Sequence, residues 1–119
     1  MLLRIWTTAV RAEREQQYLG YARTRSREMF LAHAACLGVF FLRRVDGRHA
    51  VCSLWRDAAA IAALSDSALY QSTVRGLAAT GALDGEATVE VFEVTGGAVT
   101  VDLAAALVTA TSARSDPRT

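Results

Sequence analysis

His33 is the side chain best suited to transfer a proton near neutral pH, because an imidazole titrates in that range. It is the only histidine outside the polar turn at residues 46–49, and it ends the apolar stripe of the first predicted helix. We therefore treat His33 as the candidate base. A histidine at a helix end also often caps the helix or lies partly exposed, and this alternative stays open. His49, beside the turn, is expected to be solvated.

Arg4 on the first predicted strand is a candidate ligand contact. By alternation along the first predicted strand it shares a face with Trp6. A charge between buried faces requires a partner or a ligand anion. Glu90 on the last predicted strand is one possible partner, so a structural ion pair is the alternative to substrate binding.

Phenol groups and a second guanidinium could also reach a cavity from the predicted helices. These candidates are Tyr18, Tyr21, Tyr70 and Arg75. The alternative for the tyrosines is amphipathic packing with the hydroxyl at the surface.

Several function classes lack their sequence signals. The chain contains no Gly-rich phosphate loop, no nucleophile elbow and no metal-ligand spacing, so we expect neither a metal nor a nucleotide cofactor. Cys36 and Cys52 show no metal or redox spacing and are expected to be buried free thiols. With 21% charged residues and a net charge of +1, a nucleic acid is not an expected partner. No apolar stretch approaches the roughly 20 residues of a membrane helix, and we expect a cytoplasmic protein.

The order of the elements predicts one α+β domain over residues 1–95, with a βαββαβ ferredoxin-like arrangement. The predicted strands are residues 2–10, 36–45, 48–56 and 87–94, and the first helix is residues 13–33. The second helix begins after an Asp57 N-cap, is interrupted at residues 65–67 and ends near Gly81. Residues 96–119 form an extension in which 99–108 fits a strand or a helix, and the last residues are expected to fray.

The dipeptide Asp46-Gly47 predicts a two-residue type I′ turn between the second and third strands. In that register, the numbers of any two residues that face each other across the hairpin add to 93. Gly38 then faces Trp55 and leaves room for its indole, and Phe40 faces Ser53 on the same side. Cys36 and Cys52 are not opposed, so no disulfide is expected.

Both faces of the predicted antiparallel sheet are apolar. Right-handed crossovers place both helices on one face, so the other face needs a separate cover. Pairing of two subunits through this sheet face is the simplest solution, and we expect a homodimer.

Four short segments resemble the antibiotic biosynthesis monooxygenase-like family of dimeric α+β barrels. They are Leu3-Arg4-Ile5-Trp6, Tyr18-Leu19, Cys36-Leu37-Gly38-Val39 and Ser53-Leu54-Trp55-Arg56. The resemblance covers residues 1 to about 94. It implies a ferredoxin-like subunit that dimerises through its sheet and holds a small aromatic or polyketide-like ligand between sheet and helices.

The activities implied by this resemblance include cofactor-independent oxygenation of hydroquinones and anthrones, quinol oxidation, haem degradation and polyketide cyclisation. Two features depart from the family. Ala34-Ala35 stands where the family has Pro-Gly, and residues 58–80 contain no histidine that could bind haem. Haem binding of that kind is therefore not expected.

A cofactor-free oxygenase needs a base, hydrogen-bond donors and aromatic walls in a dry pocket. We expect the catalytic groups to be His33, Trp55, Tyr70 and Arg75. The expected ligand contacts are Arg4, Trp6, Tyr18, Tyr21, Phe40 and Ser53. For the two tryptophans, ordinary core packing is the alternative.

The sequence therefore favours a cofactor-independent monooxygenase that acts on an aromatic or polyketide-like substrate. A cyclase or isomerase on the same scaffold is one alternative, and a non-catalytic dimeric ligand-binding protein is another.

Overall fold

The computed structural model describes residues 1–113. Its four strands are β1 (Leu2–Thr8), β2 (Cys36–Arg43), β3 (His49–Trp55) and β4 (Thr88–Glu93). Its five α-helices are α1 (Glu15–Tyr21), α2 (Arg27–Leu31), α3 (Ala58–Asp66), α4 (Ala68–Ala79) and α5 (Leu103–Ala113). The strands form one antiparallel sheet in the order β2-β3-β1-β4. The α+β ferredoxin-like prediction is confirmed.

The first predicted helix is a continuous but irregular element. A 3-10 turn at Ala12–Arg14 leads into α1, and a π-helical turn at Ala22–Ser26 joins α1 to α2. Its buried residues follow the predicted stripe: Tyr18, Leu19, Ala22, Ser26, Met29 and Phe30. The π turn inserts an extra residue into the helical repeat, a feature often found at functional sites.

The predicted break in the second helix is confirmed. The Asp57 carboxylate accepts from the Ala60 amide at 2.9 Å and begins α3. The Ser67 hydroxyl accepts from the Tyr70 amide at 3.2 Å and begins α4. Two N-caps thus divide one apolar stretch into two helices. Gly81, with φ of +74°, follows the end of α4, as the sequence predicts.

The predicted register of the β2–β3 hairpin is wrong by one residue. Phe40 faces Cys52 and Val39 faces Ser53, so opposed numbers add to 92. The loop has three residues rather than two, because Arg44 pairs with Arg48 and Gly47, with φ of +90°, takes the final position. This arrangement is typical of a type I turn followed by a glycine bulge.

A one-residue slip turns every β2 side chain to the opposite face. Gly38 therefore faces Leu54 rather than Trp55, so the missing Cβ of Gly38 does not make room for the indole. Phe40 lies on the open face, away from Ser53. Near the start of β2, Cys36 faces Trp55 across a bulge.

The helices cover one face of the sheet, as predicted. Trp55 and Val51 of β3 pack there with Phe30 and Leu64, and Trp6 of β1 joins them. The other face carries Leu3, Ile5, Phe40, Leu42, Leu54 and Phe92. Leu42 and Phe92 are exposed in the single chain, and the other four are partly buried. We call these six residues the open sheet face.

The C-terminal part of the described chain is more exposed to solvent than the rest. All six residues of β4 are exposed, and so is every residue of α5 up to Thr111. Residues 103–113 form a helix, which decides between the strand and the helix that the sequence left open for residues 99–108. The expected fraying of residues 114–119 lies outside the described residues. No helix within residues 1–113 has the length and apolar character needed to cross a bilayer.

Candidate active site

A half-open cavity lies between the helices and the covered face of the sheet. Its floor comes from β1 and β3, and its walls come from the first helical element and α4. The lining residues are Arg4, Trp6, Tyr18, Ala22, Ser26, Met29, Phe30, Val51, Tyr70, Thr73, Val74 and Leu77. Most of these side chains are apolar, so a polar group in the lining is in a weakly screened environment.

Arg4 is the one charged residue among these lining residues. Only 5% of the residue is exposed. Its Nη2 donates a hydrogen bond of 2.9 Å to the Tyr70 hydroxyl oxygen, and its guanidinium carbon lies 5.5 Å from the centre of the Tyr70 ring. No carboxylate within residues 1–113 forms a salt bridge with it. A buried cation without a counter-ion is costly, and a ligand anion would relieve that cost.

The predicted partner for Arg4 is wrong. Glu90 faces Ile5, so its side chain lies on the open sheet face, while Arg4 lies on the covered face. Opposed pairs in β1 and β4 share a face, and Arg4 is opposed to Val91. The guanidinium therefore has a phenol as its partner in place of an acid.

Tyr18 is the second phenol in the lining. It is almost fully buried, and its ring lies 4.7 Å from the ring of His49, centre to centre. Burial raises the pKa of the Tyr18 phenol well above its ordinary value, so the group is a neutral donor at any physiological pH. Its hydroxyl makes no hydrogen bond with the rest of the described chain. A buried hydroxyl of this kind can donate to a ligand oxygen.

The free space in the cavity is small. The volume of the cavity is about 40 Å³. A ligand-sized pocket typically has about 300 to 1,000 Å³. The cavity is therefore well below the volume that a tricyclic ligand requires.

Four of the ten predicted site residues come together in this cavity: Arg4, Trp6, Tyr18 and Tyr70. Trp55 and Ser53 lie on the same face but outside it. The Trp55 Nε1 donates to the Ser53 hydroxyl at 2.8 Å, and both residues are fully buried. The geometry of this pair matches the core-packing alternative for Trp55.

The other four predicted residues also lie outside the cavity lining. His33 Nδ1 is 2.8 Å from the Met29 carbonyl, and its ring packs edge-on against Trp55. The Tyr21 hydroxyl donates to the Thr73 carbonyl at 2.8 Å. Arg75 is exposed on α4, and Phe40 lies on the open sheet face. His33 thus matches the alternative of a histidine at a helix end.

His49 is buried rather than solvated, which corrects the expectation for this residue. Its Nε2 lies 3.0 Å from a carboxylate oxygen of Glu15, and Arg43 lies 3.7 Å from the same oxygen. Alternation along β3 places His49 on the same face as Trp55, toward the helices, and Arg43 is its partner on β2. This polar cluster packs behind Tyr18 at the far end of the sheet.

The two thiols are unpaired, as expected. Cys52 is buried as predicted, but Cys36 is only partly buried. Burial raises the pKa of both, although a hydrogen bond to the Gly38 carbonyl partly opposes this for Cys36. Neither thiol has the lowered pKa of a nucleophile.

Several lining residues were not among the predicted site residues. Ser26 and Met29 are on the predicted helical stripe, and the buried position of that stripe was the available signal. Thr73, Val74 and Leu77 follow Tyr70 at spacings of three, four and seven residues, which is one face of α4. An amphipathic pattern does not distinguish cavity walls from ordinary core.

Comparison by sequence finds no protein-family model and no curated protein that matches the chain. Comparison of folds finds many solved structures. A protein from Nitrosomonas europaea has a TM-score of 0.67 and 14% identity, over 81% of this chain and 100% of its own. One from Bordetella bronchiseptica has a TM-score of 0.69 and 16% identity, over 79% and 96%. One from Caulobacter crescentus CB15 has a TM-score of 0.69 and 11% identity, over 80% and 90%.

All three are provisionally named antibiotic biosynthesis monooxygenases, and a further match with a TM-score of 0.66 carries that name outright. At identities this low, the matches establish the fold of the chain and nothing about its reaction. Any reaction has to be inferred from the residues of the site. The chain therefore has the ferredoxin-like α+β fold of the antibiotic biosynthesis monooxygenases.

Proposed function

We propose that the chain is a cofactor-independent oxygenase that acts on a small hydroxylated aromatic compound bound as an anion. The observation that carries this proposal is Arg4, a buried cation in an apolar cavity whose hydrogen-bonding partner is a phenol. The names of the fold neighbours point to the same class of reaction.

Arg4 and Tyr70 can act together on a substrate oxyanion. The Tyr70 oxygen accepts from Arg4, so the Tyr70 hydrogen is available to donate to a ligand. The positive charge polarises this phenol and favours the ionised substrate. Donors fixed in a dry cavity stabilise developing charge much more than they would in water.

The proposed reaction begins with a substrate whose enolate or phenolate gives electrons to O2. For a single-ring hydroquinone, a ring C–H and O2 give a hydroxybenzoquinone and water. One new C–O bond forms at the ring carbon, the O–O bond breaks, and the second oxygen atom leaves as water with the two hydrogens that the substrate loses. The substrate supplies all the electrons, so no other reductant is required.

Histidine, aspartate and glutamate are missing from the twelve described residues that line the cavity. We therefore propose that the substrate loses its first proton to solvent, before or during entry. This requires a substrate with a readily ionised proton. His33 is then a support for Trp55 and Met29 rather than the base.

The size of the cavity favours single-ring compounds as the first substrates to test. Met29 and Val74 are the side chains we expect to move, because methionine adapts easily and Val74 is partly exposed. Tricyclic compounds would need a larger opening.

We also propose that two subunits pair through the open sheet face. Leu42 and Phe92 are each more than two-fifths exposed in the single chain, and Leu3 and Ile5 lie between them on the same face. Burial of this surface in a homodimer removes an apolar patch from water. Sedimentation velocity at several protein concentrations tests this pairing.

A cyclase or isomerase remains a second candidate, because the Arg4–Tyr70 pair would stabilise an enolate equally well in a reaction without oxygen. The two candidates differ in oxygen consumption. Purified protein is mixed in an oxygen electrode with single-ring hydroquinones whose electron-withdrawing substituents make them ionise readily, such as chlorohydroquinones, and 18O2 is used to follow the label into the product.

An oxygenase incorporates one labelled atom, and Arg4→Met lowers kcat/KM by about 100- to 1,000-fold. Exposed Arg75→Met is the matched control and is expected to change kcat/KM less than twofold. If substrate is converted without uptake of O2, the isomerase candidate replaces the oxygenase. If every compound binds without reaction, the proposal of an enzyme is wrong.

A further inference from the structure

Helix α5 has a composition that does not suit an isolated surface helix. Leu103–Ala113 contains no charged side chain, and every residue up to Thr111 is exposed in the single chain. Leu103 and Leu107, one turn apart, form an apolar ridge along it. A helix without a polar face is normally buried against protein.

The side of β4 that faces the helices is apolar but incompletely covered. Val89 and Val91 point to the same face as Trp6 and Arg4, yet they are 50% and 48% exposed. Val74, a cavity-lining residue on α4, is also 37% exposed. We call Val74, Val89 and Val91 the β4 groove. Because Arg4 and Trp6 are the β1 neighbours of Val91 and Val89, this groove flanks the cavity.

We propose that α5 of a second copy of this chain lies in the β4 groove and closes the cavity of its partner. By two-fold symmetry each subunit gives one helix and receives one. The partner's Leu103 and Leu107 then supply the apolar wall that the cavity lacks on this side.

The choice of a second copy rests on three observations. In its own subunit α5 is described and remains exposed, so it does not fill its own groove. The chain leaves β4 at the edge of the sheet, where the Val94 amide bonds the Met1 carbonyl at 3.0 Å. Residues 94–102 can then span up to roughly 30 Å, while two stacked sheets lie only about 10 Å apart.

The arrangement is continuous with the proposed pairing of the sheets. The open sheet face and the β4 groove are opposite sides of the same strand, because Phe92 belongs to the first and Val91 to the second. A segment that crosses the edge of β4 from a partner on the open face arrives at the groove. This placement of α5 rests on the proposed pairing of the sheets but not on the reaction that the cavity carries out.

Isotope-resolved photocross-linking tests the inference on the full-length chain. Leu107 is replaced by the photoreactive residue p-benzoylphenylalanine, and 14N- and 15N-labelled chains are refolded together. The expected result is cross-linked peptides of mixed isotope that join position 107 to the segment holding residues 89–91 or to residue 74. Exposed Ala62 on α3 carries the same probe as a control and is expected to give no such products.

Each other outcome contradicts the inference. Random pairing also gives dimers of one isotope, so only cross-links that are exclusively of uniform isotope would place α5 on its own subunit. Mixed cross-links to Leu3 or Ile5 would place it on the open sheet face. The absence of cross-links to residue 74, to residues 89–91 and to the open sheet face would show that α5 docks on neither side of the sheet.

A pair of substitutions gives a second measurement that does not use the probe. Leu107→Asp is expected to raise the Kd of the dimer about tenfold or more, because a charge replaces a buried leucine. Thr109→Asp, on the opposite side of α5, is expected to raise it less than threefold. Equal effects of the two substitutions would contradict the proposed orientation of the helix.

Discussion

The Arg4 guanidinium donates a 2.9 Å hydrogen bond to the hydroxyl of Tyr70, 66 residues away along the chain. This contact joins the first strand to α4 across the cavity. It also makes an uncharged phenol the partner of a buried cation, which is an unusual arrangement for a purely structural arginine.

Arg4→Met should leave the free energy of unfolding unchanged or raise it by about 1 kcal/mol. A buried charge without a counter-ion costs more to desolvate than a linear apolar side chain of similar length. Urea denaturation followed by circular dichroism measures the change. A loss of more than about 2 kcal/mol would show that Arg4 holds the fold together and is not reserved for a ligand.

Gly20→Ala and Gly76→Ala should change the free energy of unfolding in opposite directions. A Cβ at position 20 meets nothing within 4 Å, so Gly20→Ala should stabilise the helix by up to about 1 kcal/mol. A Cβ at position 76 overlaps the Tyr21 hydroxyl, which bonds the Thr73 carbonyl. Gly76→Ala should therefore lower the free energy of unfolding by roughly 1 kcal/mol.

Tyr21→Phe provides the control for that prediction. Without the hydroxyl, most of the overlap and the hydrogen bond are absent, so Gly76→Ala should cost much less in this background. A double-mutant cycle should give a coupling of about 1 kcal/mol or more. Additive effects would mean that the two helices are packed differently at this point.

Ser53→Ala should lower the free energy of unfolding by about 1 to 3 kcal/mol, because it leaves the buried Trp55 Nε1 without an acceptor. Ser72→Ala, at an exposed hydroxyl on α4, is the matched control and should change stability by less than about 0.5 kcal/mol. Thermal denaturation of the two variants compares them. Equal stabilities would show that the Trp55–Ser53 pair contributes nothing to the core.

The hairpin turn should lose an interaction in acid. Hydrogen bonds from the Arg44 side chain and the Arg48 amide lower the pKa of Asp46 to about 2. A carboxylate with a lowered pKa stabilises the fold above its ordinary pKa of 3.8, and this contribution is lost as the pH falls through about 2.

A carbon-detected NMR titration of the Asp46 carboxyl measures this pKa directly. Arg44→Gln should move the midpoint back toward the ordinary value. A wild-type midpoint near 3.8 would show that the Arg44–Asp46 contact does not form in solution.

Most of the strands and helices can be predicted from the sequence, because side-chain alternation and helix capping depend on neighbouring residues. Alternation along β1 places Arg4 with Trp6, and the Asp57 and Ser67 caps divide the second helix where the sequence indicates. The hairpin register depends on whether Gly47 is the second or the third loop residue. Asp-Gly is compatible with both turns, and the error placed Phe40 and Gly38 on the wrong face. The burial of His49 does not depend on the register, because alternation along β3 puts this residue on the face of Trp55.

The site is less readable because its contacts are long-range. Nothing in the local pattern near Arg4 indicates Tyr70 as its partner, and Glu90 is the more obvious choice on charge alone. Helical spacing identified the stripe that contains Met29 and His33, but it does not show which of these residues borders empty space. That distinction depends on how far the helices stand from the sheet.

The central claim is that Arg4 makes the cavity selective for an anionic aromatic ligand. The most direct measurement is the ionisation of bound 4-nitrophenol, a single-ring phenol whose absorbance differs between its neutral and ionised forms. Spectra are recorded against pH with the wild-type protein and with Arg4→Met. The account predicts that wild-type protein lowers the apparent pKa of the bound phenol by one unit or more, whereas Arg4→Met abolishes the shift or raises the pKa. A raised pKa with the wild-type protein would contradict the account, because it would mean that the cavity binds its ligand neutral.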